Sequence, residues 1–253
     1  MTNIILSGCG GRMGSAIVRA ASDGNTCRIV AGVDMNVSAV APACNFPVYQ
    51  SIAEFPGKAD VIVDFSHHTA LPALLDYALT TGTPIVVATT GHTEEERAQM
   101  LAAAEKIPVF FSGNMSIGIN LLIELAKTAS ATLGVDFDVE IVEKHHNQKL
   151  DAPSGTALMI ADALSETREA SEYVYDRHAS RQKRDPKEIG IHSIRGGTIV
   201  GEHEIIFAGH DEIMEIRHTA LSREIFAQGA VEAAKFMATV KAPGLYDMSQ
   251  LVK

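Results

Sequence analysis

Two adjacent imidazoles, an amine and a carboxylate fall within seven residues of this chain, His145-His146-Asn147-Gln148-Lys149-Leu150-Asp151. An imidazole titrates near neutrality and an ammonium is a cation by default, so His145 or Lys149 can donate a proton. His145 can instead hold a carboxylate. Directly after them, Ala152-Pro153-Ser154-Gly155-Thr156-Ala157 has the composition of a helix start, with Ser154 as N-cap. The N–H groups of Ser154, Gly155 and Thr156 then attract an anion, and Lys149 strengthens the attraction. The chemistry is that of a site for a carboxylate-bearing molecule with a proton donor beside it. Taken alone, the stretch also fits a solvated turn before an ordinary helix, so the rest of the chain has to decide.

The elements that must position these groups are an apolar strand from Phe137 to Val142 and a helix from Thr156 to Leu164. His145, His146 and Lys149 are thereby expected on the connecting loop. The N-terminus supplies a second unit. A buried strand, Asn3 to Ser7, runs into Gly8-Cys9-Gly10-Gly11-Arg12-Met13-Gly14, then into a helical pattern from Ser15 to Ala21. A second strand, Arg28 to Val33, ends in Asp34, 20 residues after Gly14. Glycines let backbone approach a pyrophosphate at a helix start, and an acidic residue at the next strand end accepts from a ribose diol. The spacing Gly8-x-x-Gly11-x-x-Gly14 departs from the commoner G-x-G-x-x-G, and the rival is an α/β sheet with a glycine turn only.

Further strand–helix units follow up to residue 116. Their strands end in Asp64-Phe65, in Ala88-Thr89-Thr90-Gly91 and in Gly113-Asn114-Met115-Ser116. In an open parallel sheet such ends line the ligand crevice, which makes the last two loops candidate contacts for a nicotinamide. His67-His68 reads as structural, at a helix start. Near residue 117 the organisation changes. A long helix, Ile117 to Ala131, precedes the histidine-lysine stretch. A polar segment, Ser165 to Lys187, is expected to be solvated and partly mobile. Three strand-like runs, Ile189–Ile194, Thr198–Phe207 and Glu212–Thr219, are expected as an antiparallel set on the strand from Phe137, and a last helix covers Glu224 to Val240.

Composition bounds the partners. With 46% apolar and 21% charged residues the chain is ordinary soluble globular material, and no apolar run reaches the ~18 residues of a membrane span. A net charge of −10 argues against nucleic acid, which requires a basic face. Cys9, Cys27 and Cys44 show no metal-ligand spacing, and no signal peptide is visible, so a cytoplasmic location without a metal is expected. His192, His203, His210 and His218 sit on strands and read more readily as core or interface residues than as metal ligands.

The stretch Glu143 to Ala157 resembles the signature of the bacterial dihydrodipicolinate (4-hydroxy-tetrahydrodipicolinate) reductases of lysine and diaminopimelate biosynthesis. Gly8 to Gly14 resembles that family's cofactor loop. Asp64-Phe65-Ser66, Thr89-Thr90-Gly91, Gly113 to Ser116, Gly201-Glu202-His203, Ser222-Arg223 and Gly244 to Met248 fit in order along the whole chain. The resemblance implies an α/β fold: a Rossmann domain of residues 1–116 and 224–253, and an α+β substrate and tetramerisation domain of 117–223 with a mixed open sheet. It implies NAD(P)H-dependent reduction of a dicarboxylate to tetrahydrodipicolinate by a homotetramer. His145 and Lys149 would be catalytic. His146, Ser154, Gly155 and Thr156 would bind substrate. Gly8, Cys9, Gly10, Gly11, Arg12, Met13, Asp34, Ala88, Thr89, Thr90, Gly113, Asn114, Met115 and Ser116 would bind cofactor.

Three departures from the family pattern bear on this. Met35 stands where many members carry Arg or Lys after the ribose-binding acid, so NADH is expected to be preferred, with some NADPH use. Ala88 replaces a common Gly, and His68 a usual Pro. Another Rossmann dehydrogenase with a catalytic Cys is disfavoured because the second half has no cysteine. A dinucleotide-sensing regulator would make His145 and Lys149 dispensable.

Overall fold

In chain order the strands and helices of this computed structural model, which describes residues 1–22, 26–178 and 181–252, run β1 (Thr2–Ser7), α1 (Arg12–Ser22), β2 (Cys27–Val33), a one-turn α2 (Val37–Val40), β3 (Val48–Tyr49), β4 (Val61–Asp64), α3 (Leu71–Thr81), β5 (Ile85–Val87), α4 (Glu94–Ala104) and β6 (Pro108–Phe111). Then follow α5 (Ile117–Leu133), β7 (Asp138–His145), α6 (Gly155–Ser165), β8 (Glu172–Val174), β9 (Glu188–Arg195), β10 (Gly201–Ala208) and β11 (Ile213–Ala220), and finally α7 (Glu224–Thr239) and β12 (Gly244–Tyr246). The chain divides into two compact units. One holds Met1–Ile117 and the chain from Glu224 onward, the other Gly118–Arg223.

The first unit is a seven-stranded, wholly parallel sheet in the order β12-β6-β5-β4-β1-β2-β3. Period-2 alternation divides its side chains between two cores. Ile4, Leu6, Val61, Val63 and Val86 pack with Ile17 of α1 and Ala230, Ala234 and Met237 of α7. Ile5, Ile62, Ile85 and Val87 face the other way, against Leu74, Leu75 and Ala78 of α3 and Met100 and Ala103 of α4. Burial on both faces explains why these strands read as continuous apolar runs. Strand order reverses between β1 and β4, and the crevice beyond their C-terminal ends is where such sheets bind ligands. Helix α4 begins with a complete capping box, Thr93 Oγ1 accepting from Glu96 N–H while the Glu96 carboxylate accepts from Thr93 N–H. Strands β3 and β12 have too few residues to carry a pattern and were not foreseen.

Gly229 of α7 lets that helix lie against the loop after β6. A Cβ there would sit 1.7 Å from the carbonyl oxygen of Met115. Gly229→Ala is therefore expected to cost about 1–3 kcal/mol by overpacking, read as a lower Tm.

The second unit is a five-stranded mixed sheet, β11-β10-β7-β9-β8. One face carries Val139, Ile141, Ile189, Ile191, Ile205 and Phe207, covered by Ile119, Leu122, Ile123 and Ala126 of α5 and Ile160, Ala161 and Leu164 of α6. The strand arrangement corrects the expectation of an antiparallel set. β7 is central, antiparallel to β10 but parallel to β9, and it separates those two. The chain between β7 and β9 includes α6, which is the kind of connection a parallel pair requires.

The polar segment also differs from expectation. Arg168 is 9% exposed, and its guanidinium donates to the carbonyls of Gly134, Phe137 and Pro186 at 3.1, 3.1 and 3.3 Å. Arg184 donates to Asp138 and Glu140 at 2.7 and 3.0 Å, and Arg177 pairs with Glu140 and Glu188. Most charged residues of the segment are exposed as expected, but these three arginines pin it to β7, β9 and their flanks. Ala179 and Ser180, within the same segment, lie outside the described residues.

Candidate active site

Each unit presents one part of the predicted chemistry. In the first, the turn after β1 is built from glycines that the geometry requires. Gly8 has φ +79°, and a Cβ on it would meet the Phe65 carbonyl oxygen at 2.5 Å. A Cβ on Gly14, in the first turn of α1, would meet the Gly8 carbonyl oxygen at 2.3 Å. The glycines thus press the start of α1 against the end of β1, the arrangement that presents helix N–H groups to a pyrophosphate. Asp34 lies beside them. Its Oδ2 accepts from Gly10 N–H at 3.0 Å and its Oδ1 from Asn36 N–H at 2.9 Å. A cavity of about 660 Å³ is lined by Gly8, Gly11, Asp34, Met35, Phe65 and Ser66, among others. Its size, its backbone-only glycine wall and its single carboxylate fit the adenosine half of a dinucleotide.

The predicted cofactor residues do not all offer side chains. Cys9, Ala88 and Met115 are buried in the core, so only their backbones can face a ligand. The Cys9 thiol is pushed up to about 12, chiefly by burial, with Cys44 and Asp34 adding to it, which makes it a packing group. Arg12, Thr90 and Gly113 are exposed. Thr89 is buried, and its hydroxyl donates to Asp64 Oδ2 at 2.8 Å. The same carboxylate accepts from the backbone and hydroxyl of Ser66 at 3.1 and 2.5 Å. Asp64, wholly buried, so ties the loops after β4 and β5 together. Ser112 and Asn114 brace the next loop, with Asn114 Oδ1 accepting from Ser116 N–H at 2.8 Å. His67 caps the turn that leads into α3 and also lines the cavity, while His68 pairs with Glu96.

In the second unit the histidine-lysine stretch is folded differently from a plain loop. His145 is the last residue of β7, not a loop residue, and it shares a strand face with Glu143. Its Nδ1 is 2.6 Å from Glu143 Oε2. Glu143, with 0% exposure, also receives both terminal nitrogens of Arg195, at 2.7 and 2.8 Å, and the N–H of Ser154 at 3.1 Å. Burial alone would raise the Glu143 carboxyl. The hydrogen bonds from His145, Arg195 and Ser193 outweigh it and hold the group far below the usual carboxylate range. Behind His145 stands His203, ring centroids 5.3 Å apart and nearly perpendicular. Burial and the neighbouring His145 push His203 down to about 4, so it is neutral at physiological pH.

Ser154 caps α6 as foreseen, its hydroxyl accepting from Ala157 N–H at 3.2 Å and lying 3.1 Å from His203 Nε2. Lys149 Nζ is 2.9 Å from Asp151 Oδ1. The Asp151 carboxyl lies below its ordinary value: partial burial raises it, but Lys149 and the backbone N–H groups of Asp151 and Gly155 more than offset that. Lys149 and the α6 N-terminus thus already hold a carboxylate of the chain itself. His146 is half-buried at the start of the turn, where its carbonyl accepts from Lys149 N–H at 3.2 Å.

Sequence reasoning gave Glu143, Arg195 and Asp64 no role, and read His203, which is 4% exposed, only as a core or interface residue. Glu143 was detectable, since two residues' separation on a strand places it beside His145. Arg195 and His203 arrive through pairing of β9 and β10 with β7, which no local pattern specifies. Among the described residues no group of three or more His, Cys, Asp and Glu is placed to hold a metal ion. His192 pairs instead with Glu140 at 2.8 Å.

Comparison with known proteins gives one answer. Residues 2–115 match the family model "Dihydrodipicolinate reductase, N-terminus" and residues 118–252 the model "Dihydrodipicolinate reductase, C-terminus". The 4-hydroxy-tetrahydrodipicolinate reductase of Caldanaerobacter subterraneus subsp. tengcongensis is 51% identical, with 100% of this chain and 99% of the relative covered. That of Clostridium novyi is 45% identical at the same coverage. Among solved structures, dipicolinate-bound dihydrodipicolinate reductase from Paenisporosarcina sp. TG-14 superposes with a TM-score of 0.81 at 26% identity, covering 98% of this chain and 97% of that one. With both halves matched in order and full-length relatives this similar, the chain belongs to the dihydrodipicolinate reductase family.

Proposed function

We propose that the chain reduces 4-hydroxy-tetrahydrodipicolinate to tetrahydrodipicolinate in diaminopimelate and lysine biosynthesis, using NAD(P)H. The observation that carries this reading is the carboxylate-holding arrangement of Lys149 and the α6 N-terminus, beside a histidine oriented by a buried carboxylate. A substrate dicarboxylate would take the contacts that Asp151 now makes, held by Gly155 and Thr156 with His146 and Ser154 at the border. The bound nicotinamide supplies a hydride, and the acceptor's neighbouring atom then needs a proton. Lys149 donates it and His145 assists by transferring or accepting a proton. Gly8 to Met13 hold the pyrophosphate, Asp34 the ribose diol, and Ala88 to Thr90 with Gly113 to Ser116 the nicotinamide end. The test couples the preceding synthase, which generates the unstable substrate, to oxidation of NADH or NADPH. Absence of turnover with both cofactors overturns the reading.

Cofactor choice follows from Asp34 and Met35. Asp34 repels a 2′-phosphate, and Met35, 81% exposed, offers it no positive charge. NADH is therefore expected to show the higher kcat/KM. Met35→Arg is expected to raise kcat/KM for NADPH about tenfold, the worth of one exposed charge-assisted hydrogen bond. A wild-type preference for NADPH refutes the argument.

The assembly we propose is a cytoplasmic homotetramer. Its support is the sheet face turned away from α5 and α6, where Val142 and Ile206 are half-buried and Ile194 is 45% exposed. Light scattering on the purified protein checks it, and a monomer at assay concentration overturns it. No helix among the described residues is long and apolar enough to cross a membrane.

A further inference from the structure

The catalytic reading leaves unexplained why a carboxylate with no solvent exposure sits beneath His145. Arg195, Ser154 and His145 surround the Glu143 carboxylate, and Ser193 adds a further side-chain hydrogen bond. Oε1 receives Arg195 Nη2 and Ser154 N–H, while Oε2 receives Arg195 Nη1 and faces His145 Nδ1. An ionised carboxylate only accepts, so the proton of this contact is on Nδ1 and the neutral ring carries its lone pair on Nε2. Gly201 makes room for that nitrogen. A Cβ on Gly201 would come within 3.1 Å of His145 Nε2. Arg195 of β9 lies opposite His145 in register and His203 of β10 stands against its ring, while His218 of β11 and Lys149 of the following loop act electrostatically on His203.

The Arg195 fork matters as much as the carboxylate. A lone buried carboxylate would hold a proton on its histidine partner and hinder its transfer. Paired side-on with a guanidinium, Glu143 keeps its directional hydrogen bond while most of its field is cancelled. The same pair reaches the anion-holding end of α6, because Arg195 Nη2 donates to the Asp151 carbonyl at 2.5 Å and Glu143 accepts from the N-cap residue.

We infer that Glu143 is a positioning residue for the reduction: with Arg195 it fixes His145 as the Nδ1–H tautomer, presents Nε2 for proton transfer, and locks the ring to the start of α6. This rests on the assignment of His145 to the proton-transfer machinery. An amide in place of the carboxylate has one acceptor oxygen for Arg195 and Ser154, and its NH2 must face His145, which can adapt only by moving its proton to Nε2.

The test is 15N NMR of histidine-labelled full-length protein, with the His145 signals identified by their loss in His145→Gln, alongside steady-state kinetics. Wild type is expected to show the Nδ1–H tautomer of neutral His145, and Glu143→Gln the Nε2–H tautomer. In Glu143→Gln kcat is expected to fall about 10²- to 10⁴-fold, as when a histidine's orienting carboxylate becomes an amide, with KM changed less than about threefold. Glu143→Asp, which keeps the charge, is expected to retain the Nδ1–H tautomer and recover part of kcat. An Nε2–H tautomer in wild type, or an unchanged tautomer in Glu143→Gln, overturns the inference. If His145→Gln turns over at the wild-type rate while the tautomers behave as stated, the assignment of His145 fails and the positioning geometry stands.

Discussion

Lys149→Ala is expected to lower kcat by about 10²- to 10⁴-fold, the range for loss of a positioned proton donor, while NADH binding measured by fluorescence titration stays unchanged. Lys149 also contributes charge to the carboxylate site, where its Nζ is 2.9 Å from Asp151, so KM for the substrate should rise as well. The two roles separate in Lys149→Arg. A guanidinium replaces the positive charge and keeps KM near wild type, but it does not give up a proton at any working pH. The expected pattern is therefore KM largely restored and kcat still low. Recovery of kcat in Lys149→Arg would reduce Lys149 to a countercharge and leave His145 as the proton donor.

That Lys149 could be singled out at all reflects how local its signal is. Amine, imidazoles and helix start lie within a dozen residues, and N-cap chemistry at Ser154 is a matter of the nearest three residues. The glycine turn was equally legible, since φ +79° at Gly8 and the contact of Gly14 with the Gly8 carbonyl are properties of one strand–turn–helix unit. The parallel sheet could be read because strands buried on both faces become continuous apolar runs. What escaped depends on pairing between distant segments. Arg195 lies 52 residues from Glu143, and its position at the end of a strand says nothing of which strand it will pair with. The parallel pairing of β7 with β9 puts His145 opposite Arg195, and the antiparallel pairing with β10 puts Glu143 opposite His203. The Ser165–Lys187 segment misled for a related reason. Its arginines look solvated by composition, yet Arg168 and Arg184 satisfy backbone carbonyls of β7, β9 and their flanks. Composition cannot distinguish a charge facing water from one facing a carbonyl.

Arg195→Met is expected to be strongly destabilising, because it leaves Glu143 buried and stripped of the guanidinium that pairs with both its oxygens. Breaking a buried pair by removing one partner costs about 3–5 kcal/mol. His145 and the Ser154 N–H still hydrogen-bond the carboxylate, which favours the lower end. At about 3 kcal/mol the fall in Tm for a chain of this size is roughly 6–12 °C. The pH dependence gives the sign. In wild type the folded carboxyl of Glu143 lies below the unfolded value of 4.5, so its contribution is complete above that pH and is lost as pH falls through the folded value. Without Arg195, burial is opposed by fewer donors and the folded carboxyl moves up. The charged carboxyl is then less favoured in the folded state than in wild type, and protonation in acid removes that difference. The gap in Tm between wild type and Arg195→Met is thus expected to be largest near neutrality and to narrow as pH falls through the raised folded value of the variant. Differential scanning calorimetry across that range measures it. A gap that stays constant would show that Arg195 acts through packing and its bond to the Asp151 carbonyl, not through the charge of Glu143.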